Sequence, residues 1–258
     1  MIDIGANLTH ESFKKDIEDV IKSAVDAGVT AMIVTGSNEQ CSRDAFALTQ
    51  EFPDYLYSTV GIHPHHADEY TGETEDLILE LIKHKKVVAI GETGLDYFRD
   101  ISPRPAQIFS FEQHIKLAIE TQSPMFLHQR DSHPDFYPIL KEHRDNLENV
   151  VVHCFTDNKH ALFDYLDLDC HIGITGWICD ERRGLHLREL VKNIPSSRLM
   201  IETDSPYLIP RDLKLKTRRN EPQHLPHIAK VVATLRGDDL SVFIQRCEKT
   251  TKEFFHLS

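Results

Sequence analysis

The sequence lacks the features that mark membrane and secreted proteins. No apolar run approaches the roughly 20 residues that a membrane-spanning helix needs, and Met1-Ile2-Asp3 carries neither the basic nor the apolar region of a signal peptide. The five cysteines are odd in number and form no Cys-x-x-Cys pair. This pattern suits a reducing compartment better than a disulfide framework. We therefore expect a cytoplasmic protein with no membrane association.

Basic residues are also scarce, since 29 Lys and Arg oppose 41 Asp and Glu and give a formal net charge of −12. This balance argues against a general nucleic-acid coat protein, because nonspecific affinity rests on positive surface charge. It leaves room for an enzyme that neutralises phosphate locally with bound cations and a few basic side chains. A chain of 258 residues with 40% hydrophobic content is long enough for one domain over residues 1–258.

Apolar periodicity predicts eight short strands that alternate with helices. The predicted strands are 2–5, 31–35, 56–62, 87–90, 124–127, 150–152, 171–175 and 199–201. Two closing helices are predicted around 227–235 and 240–255, and the first helical pattern starts near Phe13. This alternation is typical of a single-domain (β/α)₈ TIM barrel in the α/β class. An open doubly wound sheet would need a Gly-x-Gly-x-x-Gly turn after its first strand, and residues 3–7 do not supply it.

Imidazoles and carboxylates follow five of the predicted strands. These residues are His63, Glu92, His128, His153 and Asp204. A barrel gathers the carboxyl ends of its strands around one mouth, so we expect the five side chains to lie together. Imidazole and carboxylate are common ligands of zinc, manganese and iron, whereas magnesium prefers oxygen. The sequence therefore predicts a metal site at the mouth of the barrel.

The same residues offer distinct chemical roles. Glu92, which stands between Gly91 and Gly94, could hold one cation or bridge two. Asp204 could bind a cation and also accept a proton from an attacking water. His63 could orient a phosphate or act as an acid; alternatively, it caps a helix start in a loop that contains Pro64.

Basic and aromatic residues near the predicted mouth are candidates for substrate binding. Arg130 follows the predicted fifth strand. An arginine side chain can bind a phosphate through two parallel hydrogen bonds. A basic segment after the eighth strand is either a second phosphate-binding group or a solvated loop, and it contains Arg211, Lys214, Lys216, Arg218 and Arg219. Trp177 could stack on a base or anchor its loop. His65 and His66 are assigned to the loop after the third strand.

Several short motifs together carry a resemblance to a known family. They are Gly-Ile-His-Pro-His (61–65), Ala-Ile-Gly-Glu-Thr-Gly-Leu-Asp (89–96), Phe-Leu-His-Gln-Arg-Asp (126–131), Val-His-Cys-Phe-Thr (152–156), Gly-Ile-Thr-Gly-Trp (173–177), Ile-Glu-Thr-Asp-Ser-Pro-Tyr-Leu (201–208) and Arg-Arg-Asn-Glu-Pro (218–222). In this combination the chain resembles the TatD family of metal-dependent deoxyribonucleases over nearly its whole length.

The resemblance implies a TIM barrel of the amidohydrolase type with phosphodiesterase activity on DNA. The branch that the chain resembles most implies a Mg²⁺-dependent 3′–5′ exonuclease of single-stranded DNA or RNA, with a part in the repair of oxidative DNA damage. Glu92, His128 and His153 fall on the family's metal ligands. Asp204 falls on the ligand and general base after strand eight, and His63 falls on an active-site histidine.

The opening of the chain departs from the pattern of many family members. They begin Asp-x-His-x-His, whereas Gly5 and Asn7 stand here where those histidines would be. That branch of the family shares the change. We therefore expect one firm cation on the three family ligands and a second, looser one near Asp204 and Asn7. Loss of nitrogen ligands favours Mg²⁺ over Mn²⁺ or Zn²⁺, and Asn7, Arg130 and Arg219 are the predicted substrate-binding residues.

Two other readings stay open on the sequence. One is a hydrolase of the same barrel that acts on a small-molecule amide or ester, or on an aminoacyl-tRNA ester. The other is a catalytically silent binding protein. Glu92 stands at the end of the fourth strand, where an amidohydrolase of the carbamylated-lysine type would carry a lysine. The expected partner is a single-stranded DNA or RNA substrate, with no obligate protein partner.

Overall fold

The computed structural model of this protein describes residues 1–215 and 217–257. Its strands are β1 (Ile2–Ala6), β2 (Ala31–Val34), β3 (Leu56–Val60), β4 (Val87–Asp96), β5 (Met125–Arg130), β6 (Val150–Val152), β7 (His171–Ile174) and β8 (Leu199–Ile201). The α-helices in these ranges are α1 (Ile17–Asp26), α2 (Glu39–Glu51), α3 (Gly72–Leu81), α4 (Arg104–Thr121), α5 (His133–His143), α6 (Lys159–Asp167), α7 (Leu185–Leu190), α8 (Leu225–Arg236) and α9 (Leu240–Phe255).

The eight strands form one parallel sheet in chain order, each paired with the next. Where β1 meets β8, Ala6 and Ser205 form a parallel bridge, and the Asn7 N–H donates to the Ser205 carbonyl at 2.7 Å. The Asp204 N–H donates to the Gly5 carbonyl at 2.8 Å. The predicted (β/α)₈ barrel is therefore confirmed.

Apolar side chains of the strands and of α9 fill the barrel interior near the amino-terminal ends of the strands. Side chains that point inward from the strands, including Ile4, Phe126 and Met200, form a buried cluster with Phe254 and Phe255 of α9. The Asn149 side chain, just before β6, donates to the Phe254 carbonyl at 3.1 Å. Helix α9 thus packs over the amino ends of the strands, and the opposite, carboxyl end carries the open mouth.

Strand β4 is longer than predicted. The sequence suggests a strand that stops at Ile90 and turns at Gly91 and Gly94, but the strand continues through Asp96. Both glycines lie in the left-handed half of backbone space, with φ of 143° and 141°. A Cβ there would approach the Phe126 and His128 carbonyl oxygens within 2.1 and 2.0 Å. The glycines therefore let β4 pair closely with β5.

The first helix also starts later than the sequence predicts, and one predicted residue lies outside the described ranges. Phe13 belongs to a separate 3₁₀ turn, Glu11–Phe13, and α1 begins only at Ile17. Lys216, one of the predicted basic residues, lies outside the described residues, and the assignment of all of 1–258 to one domain stays a prediction. Within the described ranges, no helix has both the length and the apolar character needed to cross a bilayer.

Candidate metal centre

Four side chains from the ends of neighbouring strands converge at the mouth. Three imidazole nitrogens surround one oxygen, Glu92 Oε1: His153 Nε2 at 2.8 Å, His128 Nδ1 at 2.9 Å and His63 Nε2 at 3.4 Å. Glu92 and His153 are buried, and the other two rings are nearly so. One ligand atom each from His63, Glu92 and His128 lies within 4.8 Å of the others, and His153 Nε2 lies beside the same Glu92 oxygen.

The electrostatics of Glu92 follow from this crowding. Burial alone raises the pKa of Glu92, but its electrostatic interactions with the nearby His63 and His153 rings and the hydrogen bonds from His128 and His153 outweigh this effect. They hold the pKa of that carboxyl well below its usual range. Glu92 is therefore an ionised carboxylate, the form that binds a cation.

Glu202 fixes the orientation of His153. Its Oε2 lies 3.3 Å from His153 Nδ1, and Oε1 accepts the Cys154 N–H at 2.5 Å. A metal-binding histidine commonly donates its second ring N–H to a carboxylate, which leaves the other nitrogen free for the ion. His153 has this arrangement, because its Nε2 faces Glu92.

Glu202 stands outside the predicted site, and two glycines that lie beside it are the sequence signal for its role. A Cβ on Gly5 or on Gly173 would lie 2.5 Å from a Glu202 oxygen. The side chain thus fills the space that these two positions leave empty. Gly5, where the sequence departs from the Asp-x-His-x-His pattern, thus leaves room for the Glu202 carboxylate that follows β8.

His63 combines both roles considered for it. Its Nδ1 accepts the His65 N–H at 3.1 Å and so caps the 3₁₀ helix Pro64–Glu69. Burial lowers the pKa of His63 to about 3, so the ring is neutral. Because Nδ1 is an acceptor, the ring proton lies on Nε2. His63 therefore presents a hydrogen-bond donor to Glu92 or to a substrate oxygen.

A second carboxylate, Asp96, lies beside His128 on the side of the ring that faces away from Glu92. His65 Nε2 lies 2.9 Å from Asp96 Oδ2, so His65 is part of the site rather than a plain loop residue. His128 Nε2 lies 3.3 Å from the same oxygen but makes no hydrogen bond there, and this nitrogen is buried. Glu92 and Asp96 are four residues apart in β4, and alternation places both on the inner face. The predicted fourth strand ended at Ile90, so the sequence did not place Glu92 and Asp96 on the same face of one strand.

The donor set fits a divalent cation. Three imidazole nitrogens crowd one buried carboxylate oxygen, Glu92 Oε1. If His153 Nδ1–H donates to Glu202, His153 Nε2 presents a lone pair to that oxygen, and two acceptors face each other unless a cation lies between them. A divalent cation beside Glu92, His128 Nδ1 and His153 Nε2 would therefore suit these nitrogen and oxygen ligands.

Asp204 lines the same cavity, whose volume is about 680 Å³. Its Oδ1 accepts the Asn7 side-chain N–H at 2.9 Å. Burial raises the pKa of Asp204 to about 7, with His153 opposing the shift and Glu92 and Glu202 adding to it. Asn7, predicted to bind substrate, thus has a clear contact that orients Asp204.

Cationic and aromatic side chains rim the cavity. The Arg130 guanidinium lies 3.9 Å from the centroid of the exposed Phe98 ring and 5.7 Å from that of Trp177. The Arg183 guanidinium lies 5.8 Å from the Trp177 centroid. Arg99 also lines the cavity. Arg130 and Trp177 were predicted from the sequence, whereas Phe98, Arg99 and Arg183 were not, because no motif marks them.

Arg219 lies elsewhere than predicted. Its guanidinium binds the Asp16 carboxylate at 2.7 and 3.0 Å and the Glu221 carboxylate at 2.8 Å, and it packs over the Phe13 ring. It is not among the residues that line the cavity. Two carboxylates already satisfy this charge, so the structure gives Arg219 a role in joining the chain before α1 to the loop before α8.

An eight-stranded barrel with imidazoles and carboxylates gathered at its carboxyl mouth defines the class of metal-dependent hydrolases built on an α/β barrel. The model of the family described as "TatD related DNase" matches residues 2–256. The chain belongs to this family.

Individual relatives agree with this placement. The chain is 46% identical over 259 residues, covering 100% of this chain and 99% of the relative, to the protein named 3′-5′ ssDNA/RNA exonuclease TatD of Erwinia billingiae (strain Eb661). Among solved structures, the TatD homologue YJJV from Escherichia coli K12 matches with a TM-score of 0.91 and 26% identity, covering 100% and 98% of the two chains. A TatD family hydrolase from Entamoeba histolytica matches with a TM-score of 0.88 and 28% identity, with the same coverage.

Proposed function

We propose that this protein is a metal-dependent 3′–5′ exonuclease that hydrolyses single-stranded DNA or RNA, with Mg²⁺ as its cation and Mn²⁺ or Zn²⁺ able to replace it. The observation that carries the proposal is the convergence of His63, His128 and His153 on Glu92 Oε1 at 2.8 to 3.4 Å. The 46% identity over the full length to a named exonuclease supports the substrate class. Cytoplasmic action in the repair of oxidative DNA damage belongs to the same proposal.

Glu92, His128 and His153 would hold the cation, with Asp204 as a further ligand or as the anchor of a second, looser ion. A bound divalent cation would polarise the phosphoryl oxygen and lower the pKa of water at the site. Glu202 keeps the His153 ring in the orientation that faces Glu92. The chain's own residues thus prepare the ligand geometry.

Asp204 is the candidate proton acceptor. Its pKa of about 7 leaves a good fraction ionised at neutral pH, and a base works best when its pKa is near the working pH. The Asn7 amide holds one Asp204 oxygen by donating to it at 2.9 Å. The second oxygen can take a proton from the attacking water, while His63 Nε2–H donates to a phosphate oxygen.

Two adjoining cavities provide a path for a nucleic-acid strand. The cavity at the metal centre, of about 680 Å³, shares Gln129, Arg130 and Thr156 with a neighbouring cavity of about 540 Å³. Arg130 therefore lies on the wall between them. A guanidinium there can bind the backbone phosphate, and the neighbouring Phe98 and Trp177 rings can stack on bases.

The test uses single strands labelled at the 3′ or at the 5′ end, incubated with and without Mg²⁺. We expect rapid release of labelled mononucleotide from the 3′ label only, and only with the cation. Asp204→Asn should slow this release by about 10²–10⁴-fold. Release from the 5′ label first would overturn the polarity.

A hydrolase acting on an amide, an ester or an aminoacyl-tRNA ester is the competing outcome. Hydrolysis of such substrates without nucleotide release would replace the nuclease proposal. If neither substrate class reacts, the protein is a binding protein.

A further inference from the structure

A second group of metal-ligating side chains lies outside the candidate metal centre. His133, at the start of α5, and His160 and Asp164, on α6, each offer one ligand atom, and these atoms all lie within 4.8 Å of one another. His133 Nε2 is 2.8 Å from Asp164 Oδ2, and His160 Nε2 is 3.5 Å from the same oxygen. The three residues form the outer histidine cluster.

These distances match the needs of a tetrahedral ion. Zinc–ligand bonds of 2.0 to 2.2 Å in a tetrahedron place two ligand atoms about 3.3 to 3.6 Å apart. His160 and Asp164 are one helical turn apart on α6, so both reach the same face. The ion can therefore enter with small side-chain adjustments. The His160 side chain is 80% exposed, which leaves solvent access for a fourth ligand.

The His133 ring has the support that a metal-binding histidine needs. Its Nδ1 lies 2.9 Å from the Tyr165 hydroxyl. If Nδ1–H donates to that oxygen, Nε2 keeps its lone pair and faces Asp164. Burial raises the pKa of Tyr165, so the phenol stays neutral. The Tyr137 ring stacks on His133 with the centroids 5.4 Å apart, and this contact fixes the ring plane.

The elements that carry the cluster are themselves anchored. The hydroxyl of Ser132, just before His133, donates to the Leu95 carbonyl on β4 at 2.9 Å. The Asn158 side chain caps α6 by accepting the His160 and Ala161 N–H groups. Ligands on rigid elements lose little freedom when an ion binds.

We propose that His133, His160 and Asp164 form a second metal site, separate from the mouth, that binds a transition-metal ion of the zinc type. Two imidazoles with one carboxylate favour such an ion over Mg²⁺, which prefers oxygen ligands and retained water. The bound ion joins the first turn of α5 to α6. It therefore stiffens the helices that follow β5, which carries His128, and β6, which leads directly into His153.

The test is equilibrium dialysis of the full chain against Zn²⁺ after removal of metals with a chelator. We expect wild-type protein to bind one more equivalent of zinc than His160→Ala, whose exposed position leaves folding intact. Tyr165→Phe, which removes the hydroxyl but keeps the ring, should weaken that equivalent by about 10- to 100-fold. With Co²⁺ in place of Zn²⁺, the visible absorption of a tetrahedral ion should fall in His160→Ala.

His256→Asn is the matched control, because His256 is also an exposed histidine beside a carboxylate, Glu148, at 2.9 Å. It should bind as much zinc as wild type. Equal binding by wild type and His160→Ala would overturn the proposal, and so would an equal loss in His256→Asn. Neither result depends on nuclease activity, so the outcome is independent of the proposed function.

Discussion

Glu92 Oε1 lies within 2.9 Å of two imidazole nitrogens and 3.4 Å from a third. At the scale of single residues, this one oxygen therefore links three histidines of the mouth. The carboxylate makes no contribution to the apolar clusters of the barrel. Its removal should therefore affect chemistry more than folding.

For Glu92→Ala we expect nuclease turnover to fall by more than about 100-fold, because both charge and ligand are lost. The far-ultraviolet circular dichroism spectrum should match wild type. Glu92→Gln, which keeps the shape, should be equally inactive. Global unfolding of both variants would count against a ligand role and in favour of a structural one.

Arg130 and Arg219 are a matched pair, since one lies on the cavity wall and the other is held by Asp16 and Glu221. Arg130→Ala should bind single strands more weakly, with the slope of log affinity against log salt reduced by about 0.7. Arg219→Ala should keep the wild-type slope. A fluorescence titration over several salt concentrations measures both, and a changed slope for Arg219 alone would restore its predicted role in substrate binding.

At the scale of elements, helix α4 positions the end of β3 through a buried histidine. His114 Nε2 accepts the Ile62 N–H at 3.1 Å, and Nδ1–H donates to the Ser110 carbonyl at 2.7 Å. Ile62 directly precedes His63. The imidazole must be neutral to accept this bond, and burial lowers the pKa of His114 from 6.5 to about 4.

This shift predicts a stability loss in mild acid. Between about pH 6.5 and pH 4, His114 is protonated in the unfolded chain but neutral in the folded protein. The free energy of unfolding therefore decreases as the pH falls. From pH 7.5 to pH 5 the contribution lost is about 2 kcal/mol. Urea unfolding at the two pH values should show this difference between wild type and His114→Gln, whose amide stays neutral. An identical pH dependence in both proteins would contradict the assignment.

At the scale of the whole molecule, closure of the barrel depends on contacts between the first and the last strand. Asp3 of β1 is fully buried, and its Oδ1 accepts the Thr203 N–H at 2.9 Å. The Thr203 hydroxyl donates to the other oxygen. Thr203 lies between Glu202 and Asp204, so the contact that closes the barrel also holds the two carboxylates after β8.

Asp3→Ala should lower the free energy of unfolding by about 3 kcal/mol, because it leaves the buried Thr203 N–H without a partner. Activity should fall as well, since Asp204 loses its support. Urea unfolding measures the first effect, with the exposed Asp54→Ala as a control that stays within about 0.5 kcal/mol of wild type. If the free energy of unfolding changed by less than about 1 kcal/mol for Asp3→Ala, closure of the barrel between β1 and β8 would not depend on this carboxylate.

Much of the site was accessible from the sequence, because residues at strand ends of a barrel must meet at one mouth. Glu92, His128 and His153 were found in this way. Glu202 and Asp96 were not, since their roles depend on the space beside Gly5 and on the unexpected length of β4. Arg219 looked like a phosphate ligand only while its partner Asp16, distant in sequence, was unknown.

The sequence by itself determined the alternation of strands and helices, the order of the barrel and the residue types at its mouth, because these follow from local periodicity and from motifs. Only the tertiary structure decided which nitrogen of each histidine faces Glu92, which carboxylates support those rings, and which arginines remain free for a substrate. These choices depend on contacts between residues far apart in the chain, such as His153 with Glu202 and His128 with Asp96. Local patterns carry no record of such contacts, since they arise only when the barrel closes.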